Sequence, residues 1–175
     1  MLIAVNAGNS RVLLGGYEED GQVFSASIAT EPKLTRDDYA CKLQQVLLLY
    51  GVNVRRIHGG IVSSVVPSMV GGIRDVIEVS SGVKTGLNIR SEQPRQVGSD
   101  RVAAAVAARA KGKLPCVAVT LGTATTFTAL DGSGALVGSA ITAGVQLSLL
   151  ALREQAAQLP AVAIDAKDEG ILARN

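Results

Sequence analysis

Tryptophan is absent from this chain of 175 residues, and there are only two Phe, three Tyr, one His and two Cys. So few aromatics leave little material for base-stacking platforms. With 17 Lys and Arg against 15 Asp and Glu the net charge is only +2, so there is no basic footprint either. No nucleic-acid partner is expected. Cys41 and Cys116 lie far apart without metal-ligand spacing, which reads as two buried, reduced thiols. His58 has no second His and no Cys, Asp or Glu at ligand spacing, so a structural histidine is expected. Met1–Val5 lacks the basic start of a signal sequence and no apolar run reaches membrane-spanning length, so no membrane partner and a cytoplasmic location are expected. Charged residues amount to 18% while apolar residues make up 47%, with a mean hydropathy of +0.30. That balance excludes intrinsic disorder and points to a heavily buried α/β architecture of one ordinary domain or two small ones.

Glycine is abundant, 19 residues or about 11% against a usual ~7%, and its placement organises the chain. Strands are expected over Leu2–Val5, Arg11–Tyr17 and Gln22–Ile28, joined by turns at Ala7-Gly8-Asn9 and Glu19-Asp20-Gly21. Thr35 with Asp38 three residues on forms a capping-box start for a helix whose apolar face is Tyr39, Leu43, Val46, Leu47 and Tyr50, with Gly51 as its stop. A strand over Ile57–Val62, a short helix over Val65–Gly72 opened by Ser64 and Pro67, and a strand over Ile73–Val79 follow.

A second copy of the opening then emerges. Val5-Asn6-Ala7-Gly8-Asn9-Ser10 aligns with Val119-Thr120-Leu121-Gly122-Thr123-Ala124, and strands at Thr125–Leu130 and Leu136–Ile141, a turn at Asp131–Gly134 and a helix from Val145 to about Gln158 follow in the same order. We read a duplicated fold with two facing halves, residues 1–112 and 113–175. The second half is expected to be incomplete, because Pro160–Asn175 holds at most one short strand.

Two stretches could carry chemistry. The glycine turns present backbone N–H groups and small hydroxyls, which suits an anion approached from opposite sides, although β-hairpin turns use the same residues. Gly98-Ser99-Asp100-Arg101 precedes an apolar helix over Val102–Arg109. Asp100 there is either a plain N-terminal cap or a base that accepts a hydroxyl proton, with Arg101 beside it to hold an anionic group. Ser63-Ser64 reads as helix-capping chemistry. A Walker lysine, a Rossmann fingerprint and a nucleophile elbow are all absent.

Six ordered motifs run the length of the chain: Asn6-Ala7-Gly8-Asn9-Ser10, Ser63-Ser64-Val65-Val66-Pro67, Lys84-Thr85-Gly86-Leu87-Asn88-Ile89-Arg90, Gly98-Ser99-Asp100-Arg101, Leu121-Gly122-Thr123-Ala124-Thr125-Thr126 and Gln158-Leu159-Pro160. In this order they resemble type III pantothenate kinases. The resemblance implies the duplicated ribonuclease-H-like fold of sugar kinases, heat-shock ATPases and actin. It also implies transfer of the ATP γ-phosphate to pantothenate, with Mg²⁺ and a monovalent cation (K⁺ or NH₄⁺), in a homodimer. Carried over by residue, it makes Asn6, Ala7, Gly8, Asn9, Ser10, Arg11, Val12 and Leu13 the first ATP-binding turn, and Gly122 and Thr123 the second. Gly98, Ser99, Asp100 and Arg101 become the pantothenate segment, with Asp100 as proton acceptor. Asn6 and Thr120 stand where the family has Asp, so the metal positions carry neutral oxygens here. Two readings stay open: a pantothenate kinase, impaired or not, and a non-catalytic kinase-like chain completed by a partner.

Overall fold

The computed structural model describes residues 1–31, 33–66, 69, 76–80 and 82–156. Alternating apolar residues fold the start of the chain into an antiparallel meander, β1 (Leu2–Ala7), β2 (Arg11–Glu18) and β3 (Gly21–Ala29). After helix α1 (Arg36–Leu49), strands β4 (Gly59–Ser64) and β5 (Val76–Glu78) extend the sheet on the far side of β1, both in the parallel sense. The sheet order is β3-β2-β1-β4-β5. Helix α2 (Ser99–Ala110) leads to a second meander, β6 (Cys116–Leu121), β7 (Ala124–Leu130) and β8 (Leu136–Ala143), and then to α3 (Val145–Gln155). Each half of the suspected duplication therefore opens on a three-stranded meander. The mixed α/β class and its ribonuclease-H-like strand order agree with the sequence reading.

Period-two alternation decides which face of the first sheet is buried. Val5 and Ala7 of β1, Val12 and Leu14 of β2, Phe24 of β3 and Val62 of β4 form one core with Tyr39 of α1. The capping box forms as expected. Thr35 Oγ1 accepts from the Asp38 N–H at 3.3 Å, and Asp38 Oδ2 accepts from the Thr35 N–H at 2.8 Å. The Thr35 hydroxyl, which donates to Asp38 Oδ2 at 2.6 Å, and then the Thr35 N–H hold the Asp38 carboxyl below its ordinary range. Tyr39 is fully inside, and its hydroxyl donates to the Glu31 carbonyl at 3.1 Å, which satisfies its polar end. Tyr50 caps the far end and stacks on Phe24 with ring centroids 4.9 Å apart. Gly51 follows at φ +66°, the left-handed turn that a side chain rarely adopts.

A second core gathers Val102 and Ala105 of α2, Leu130 of β7 and Leu136 at the start of β8, together with Val79 and Val97. The packing around the second sheet thus draws on residues well before 113. Segment Asn88–Arg90 is tied to β8, since Leu136 N–H donates to the Asn88 carbonyl and Arg90 N–H to the Leu136 carbonyl, both at 2.8 Å. Cys41 corrects the sequence reading: it is exposed on the outer side of α1, because that helix buries only a narrow stripe. The helix expected over Val65–Gly72 falls mostly outside the described residues, as do the start of the Ile73–Val79 strand, the end of the last helix beyond 156 and the short strand in Pro160–Asn175.

The β7–β8 turn is built on one carboxylate. Asp131 Oδ1 accepts from Ser133 Oγ at 2.6 Å, Ser133 N–H at 2.8 Å and Ala135 N–H at 3.0 Å, while Arg90 Nη1 reaches Oδ2 at 3.3 Å. Hydrogen bonds from Ser133 first, then from the Ala135 backbone, hold its pKa down. A depressed carboxyl stabilises the fold above its unfolded pKa of about 3.9, and that stabilisation is lost as pH falls through the folded value. Asp131→Asn should therefore melt below the parent at pH 6, and the gap should close in thermal scans taken progressively below pH 4. A gap that persists unchanged to pH 2 would mean that the charge of Asp131 is irrelevant to the turn.

Candidate active site

The strand ends of the two sheets bring the glycine turns together. Asn6 is near the end of β1, paired in register with Leu13 of β2 on one side and Ser63 of β4 on the other. The turn that follows is pinned from β3. Thr30 Oγ1 donates to the Gly8 carbonyl at 2.7 Å, Thr30 N–H donates to the Ser10 carbonyl at 3.0 Å, and Gly8 N–H donates to the Arg11 carbonyl at 2.9 Å. Ser10 and Asn9 remain exposed at its tip. In the second sheet Gly122 and Thr123 form the corresponding β6–β7 turn, also exposed, and Gly144 N–H donates to the Thr123 carbonyl at 2.9 Å. Ser10 Oγ and Thr123 Oγ1 lie 2.5 Å apart, a hydrogen bond between turns separated by 113 residues of sequence.

Helix α2 begins against β4, where Ser99 meets Ser63, the register partner of Asn6. Gly98 is its N-cap with no side-chain cap bond, and Asp100 sits in the first turn, so Asp100 is not the cap residue that one sequence reading allowed. A Cβ at Gly98 would stand 2.6 Å from Asp100 Oδ1, 3.4 Å from Arg101 Nη2 and 3.6 Å from Arg101 Nε. The carboxylate and the guanidinium therefore both fold back toward the Cα of Gly98. Arg101 Nη1 donates to Ser139 Oγ of β8 at 3.0 Å and Nη2 to the Gln96 carbonyl at 3.2 Å. Ser63 is nearly buried, and its Oγ is 3.0 Å from Ser99 Oγ, which ties β4 to the first turn of α2.

Ser63 was expected to cap a helix. Its neighbour Ser64 does make a local turn, accepting from Val66 N–H at 2.9 Å, but Ser63 points the other way, onto Ser99. Alternation along β4 gives the reason, since Ser63 pairs with Asn6 on the face opposite Val62. Ala7 and Val12 also need refinement as ATP-binding residues. Both side chains are buried in the first core, so only their backbone is available to a ligand. Thr120 lies on β6 opposite Thr126 and offers a neutral hydroxyl. A concavity of about 330 Å³ runs along the open face of the first sheet, over Ala4, Leu13, Tyr17 and Ile61, and reaches Asn6 and Ser63 at its site end. Sequence reasoning missed Thr30, Ser139 and Gly144, whose parts arise only from tertiary contacts. His58 is exposed, and its Nε2 is 2.6 Å from the amino group of Met1.

Chemically, the arrangement joins two small-residue turns suited to an anion with a helix start that presents a carboxylate and a guanidinium. Among the described residues no three His, Cys, Asp or Glu side chains gather to hold a metal ion, and no helix is long and apolar enough to cross a membrane.

Comparison with known proteins gives the same direction. The family model described as type III pantothenate kinase matches residues 2–175. A type III pantothenate kinase from Geotalea daltonii is 35% identical over 184 aligned residues, spanning 100% of this chain and 72% of that protein. Among solved structures, the ADPNP-bound activator of 2-hydroxyisocaproyl-CoA dehydratase from Clostridium difficile is similar at a TM-score of 0.54 and 10% identity, over 91% of this chain and 53% of its own. A putative 2-dehydro-3-deoxygalactonokinase from Sinorhizobium meliloti is similar at 0.55 and 14% identity, over 91% of this chain and 60% of its own. The chain thus spans little more than half the length of these structures, and at such identity they support the fold alone.

Proposed function

Because this chain belongs to the type III pantothenate kinase family, we propose that it transfers the γ-phosphoryl group of ATP to the hydroxyl of pantothenate, the first step toward coenzyme A. The observation that carries the reading is the meeting of the Ser10 and Thr123 turns, with the first turn of α2 tied through Ser99 and Ser63 to the strand position beside Asn6. Two anion-receptive turns suit a polyphosphate, and a carboxylate in the first turn of α2 suits an alcohol that must lose its proton. In this reading the Asn6–Leu13 turn and Gly122-Thr123 cradle the phosphates. Asp100 takes the hydroxyl proton as the oxygen attacks the γ-phosphorus, the bond to the β-phosphate oxygen breaks, and ADP leaves. Arg101 holds the acceptor's carboxylate as a planar fork. Ser63, through Ser99, keeps the helix start in register with β1.

The donor set does not fit a resident divalent cation. Hard cations depend on carboxylates plus substrate phosphates, and Asn6 and Thr120 supply neutral oxygens only. Mg²⁺ accordingly belongs to the nucleotide substrate in this reading, and no step is assigned to a protein-held metal or monovalent cation. Self-association as a homodimer is part of the same proposal, supported by Val117, Val119 and Leu121, which are more than half exposed along β6.

With two carboxylates replaced, turnover should fall below the ordinary kinase range of roughly 1–100 s⁻¹. A coupled ADP-release assay with pantothenate, Mg²⁺ and K⁺ measures it. Restoring Asn6→Asp and Thr120→Asp together should raise the rate. ADP release that ignores pantothenate in both proteins would sink the kinase assignment, and a parent already within the ordinary range would sink the account of the missing charges.

A further inference from the structure

Arg101 does not hang free from the start of α2. Its Nη1 donates to Ser139 Oγ on β8 at 3.0 Å, and its Nη2 donates to the Gln96 carbonyl at 3.2 Å. These contacts come from opposite directions in the sequence, one from the loop before α2 and one from the second sheet. A guanidinium carries more N–H donors than these two contacts use, so a donor edge is left over for a ligand. Nη2 and Nε lie 3.4 and 3.6 Å from the space above Gly98, and Asp100 Oδ1 is at the border of the same space. The side chain is thus gripped at its tip while its edge lies beside the Asp100 carboxylate. Long flexible side chains lose much rotamer entropy when they bind, and a grip that fixes the fork beforehand removes part of that cost.

Ser139 also stands in a polar spot of the sheet. Its direct cross-strand neighbour is Thr128, which is fully buried and whose Oγ1 has no hydrogen-bond partner among the described residues. The backbone there is regular strand, so the serine is not needed for a turn or a cap. Its one side-chain hydrogen bond among the described residues is to Arg101.

We propose that Ser139 is a positioning residue that orients the Arg101 guanidinium, and through it selects acceptors that end in a carboxylate. This rests on the reading of Gly98–Arg101 as the acceptor segment. A residue that merely braces α2 against β8 would affect charged and neutral acceptors alike. A residue that aims the guanidinium affects only the charged one.

Equilibrium binding separates the two without requiring turnover. Calorimetric titration of the parent, Ser139→Ala and Ser139→Thr would use pantothenate and its neutral alcohol analogue pantothenol, which lacks the carboxylate. We expect Ser139→Ala to weaken pantothenate roughly 3–10-fold, the scale of one neutral hydrogen bond, and to leave pantothenol within about twofold of the parent. Ser139→Thr keeps the hydroxyl and should restore most of the pantothenate affinity. Equal loss for both ligands, or none for either, overturns the assignment to Ser139 while leaving the acceptor site in place. A parent that binds neither ligand overturns the acceptor reading itself, and this proposal with it.

Discussion

Asp100→Asn should lower pantothenate-dependent ADP release by about 10²–10⁴, the usual contribution of a positioned general base, while nucleotide affinity stays near that of the parent. An amide keeps the shape of the side chain and can still receive a hydrogen bond from the acceptor hydroxyl, but it cannot take the proton. The fold should survive. Gly98, not Asp100, caps α2, so the substitution removes only a favourable charge at a helix N-terminus, about 0.3–1 kcal/mol. If Asp100 mattered only to the helix, Asp100→Ala would lower the melting temperature and reduce activity through unfolding, with no selective change in kcat. Single-turnover ADP release, read beside displacement of a fluorescent nucleotide, separates these outcomes. An Asp100→Asn protein as fast as the parent would reject the base assignment.

The same helix shows where sequence reasoning stops. Apolar periodicity begins only at Val102, so the sequence places the helix start there, three residues beyond its true first residue, Ser99. Ser99, Asp100 and Arg101 are helical because a backbone cap at Gly98 starts the helix without any side-chain signal. Helix α1 is the opposite case. Thr35 and Asp38 announce its start within four residues, and the structure forms both bonds of the box. The fate of Cys41 on that helix was not legible in the same way, because an apolar pattern on α1 leaves Leu48 and Leu49 about 80% exposed and buries only Tyr39 fully. Which apolar residue meets the sheet depends on the crossing of helix over strands, and periodicity does not contain that crossing.

The site divides along the same line. Both glycine turns were readable, because a duplicated strand-turn-strand leaves the same residue types at the same spacing. That the two would touch through Ser10 and Thr123 follows from how α2 seats the second sheet, which is a packing outcome. Ser63 is invisible as a site residue until the parallel β1–β4 register sets it opposite Asn6, since a shift of one residue would turn it toward the core. Ser139 carries no motif at all. Residues that act by holding another residue leave a trace only in three dimensions.

Gly144→Ala should be the most damaging small substitution in the second sheet, and the reason is space. Gly144 is the N-cap of α3 with φ near −69°, a conformation open to any residue, so backbone freedom is not what demands glycine. A Cβ there would collide with the Gly122 carbonyl oxygen and stand 2.6 Å from that of Thr123. Neither neighbour is a flexible side-chain tip. Relief requires the β6–β7 turn to move away from β8, which breaks the 2.9 Å bond from Gly144 N–H to the Thr123 carbonyl and carries Thr123 Oγ1 away from Ser10. Overpacking of this kind costs about 1–3 kcal/mol. For a chain of this length that lowers the melting temperature by roughly 2–12 °C. Gly138→Ala on β8 is the control, because its Cβ meets nothing within 4 Å and its melting temperature should hold or rise slightly. If the second turn binds phosphate as proposed, ATP affinity should fall about tenfold or more in Gly144→Ala, even at temperatures where the variant is fully folded. A folded Gly144→Ala protein with parental ATP affinity would remove Gly122 and Thr123 from the nucleotide site and leave the first turn to hold the phosphates alone.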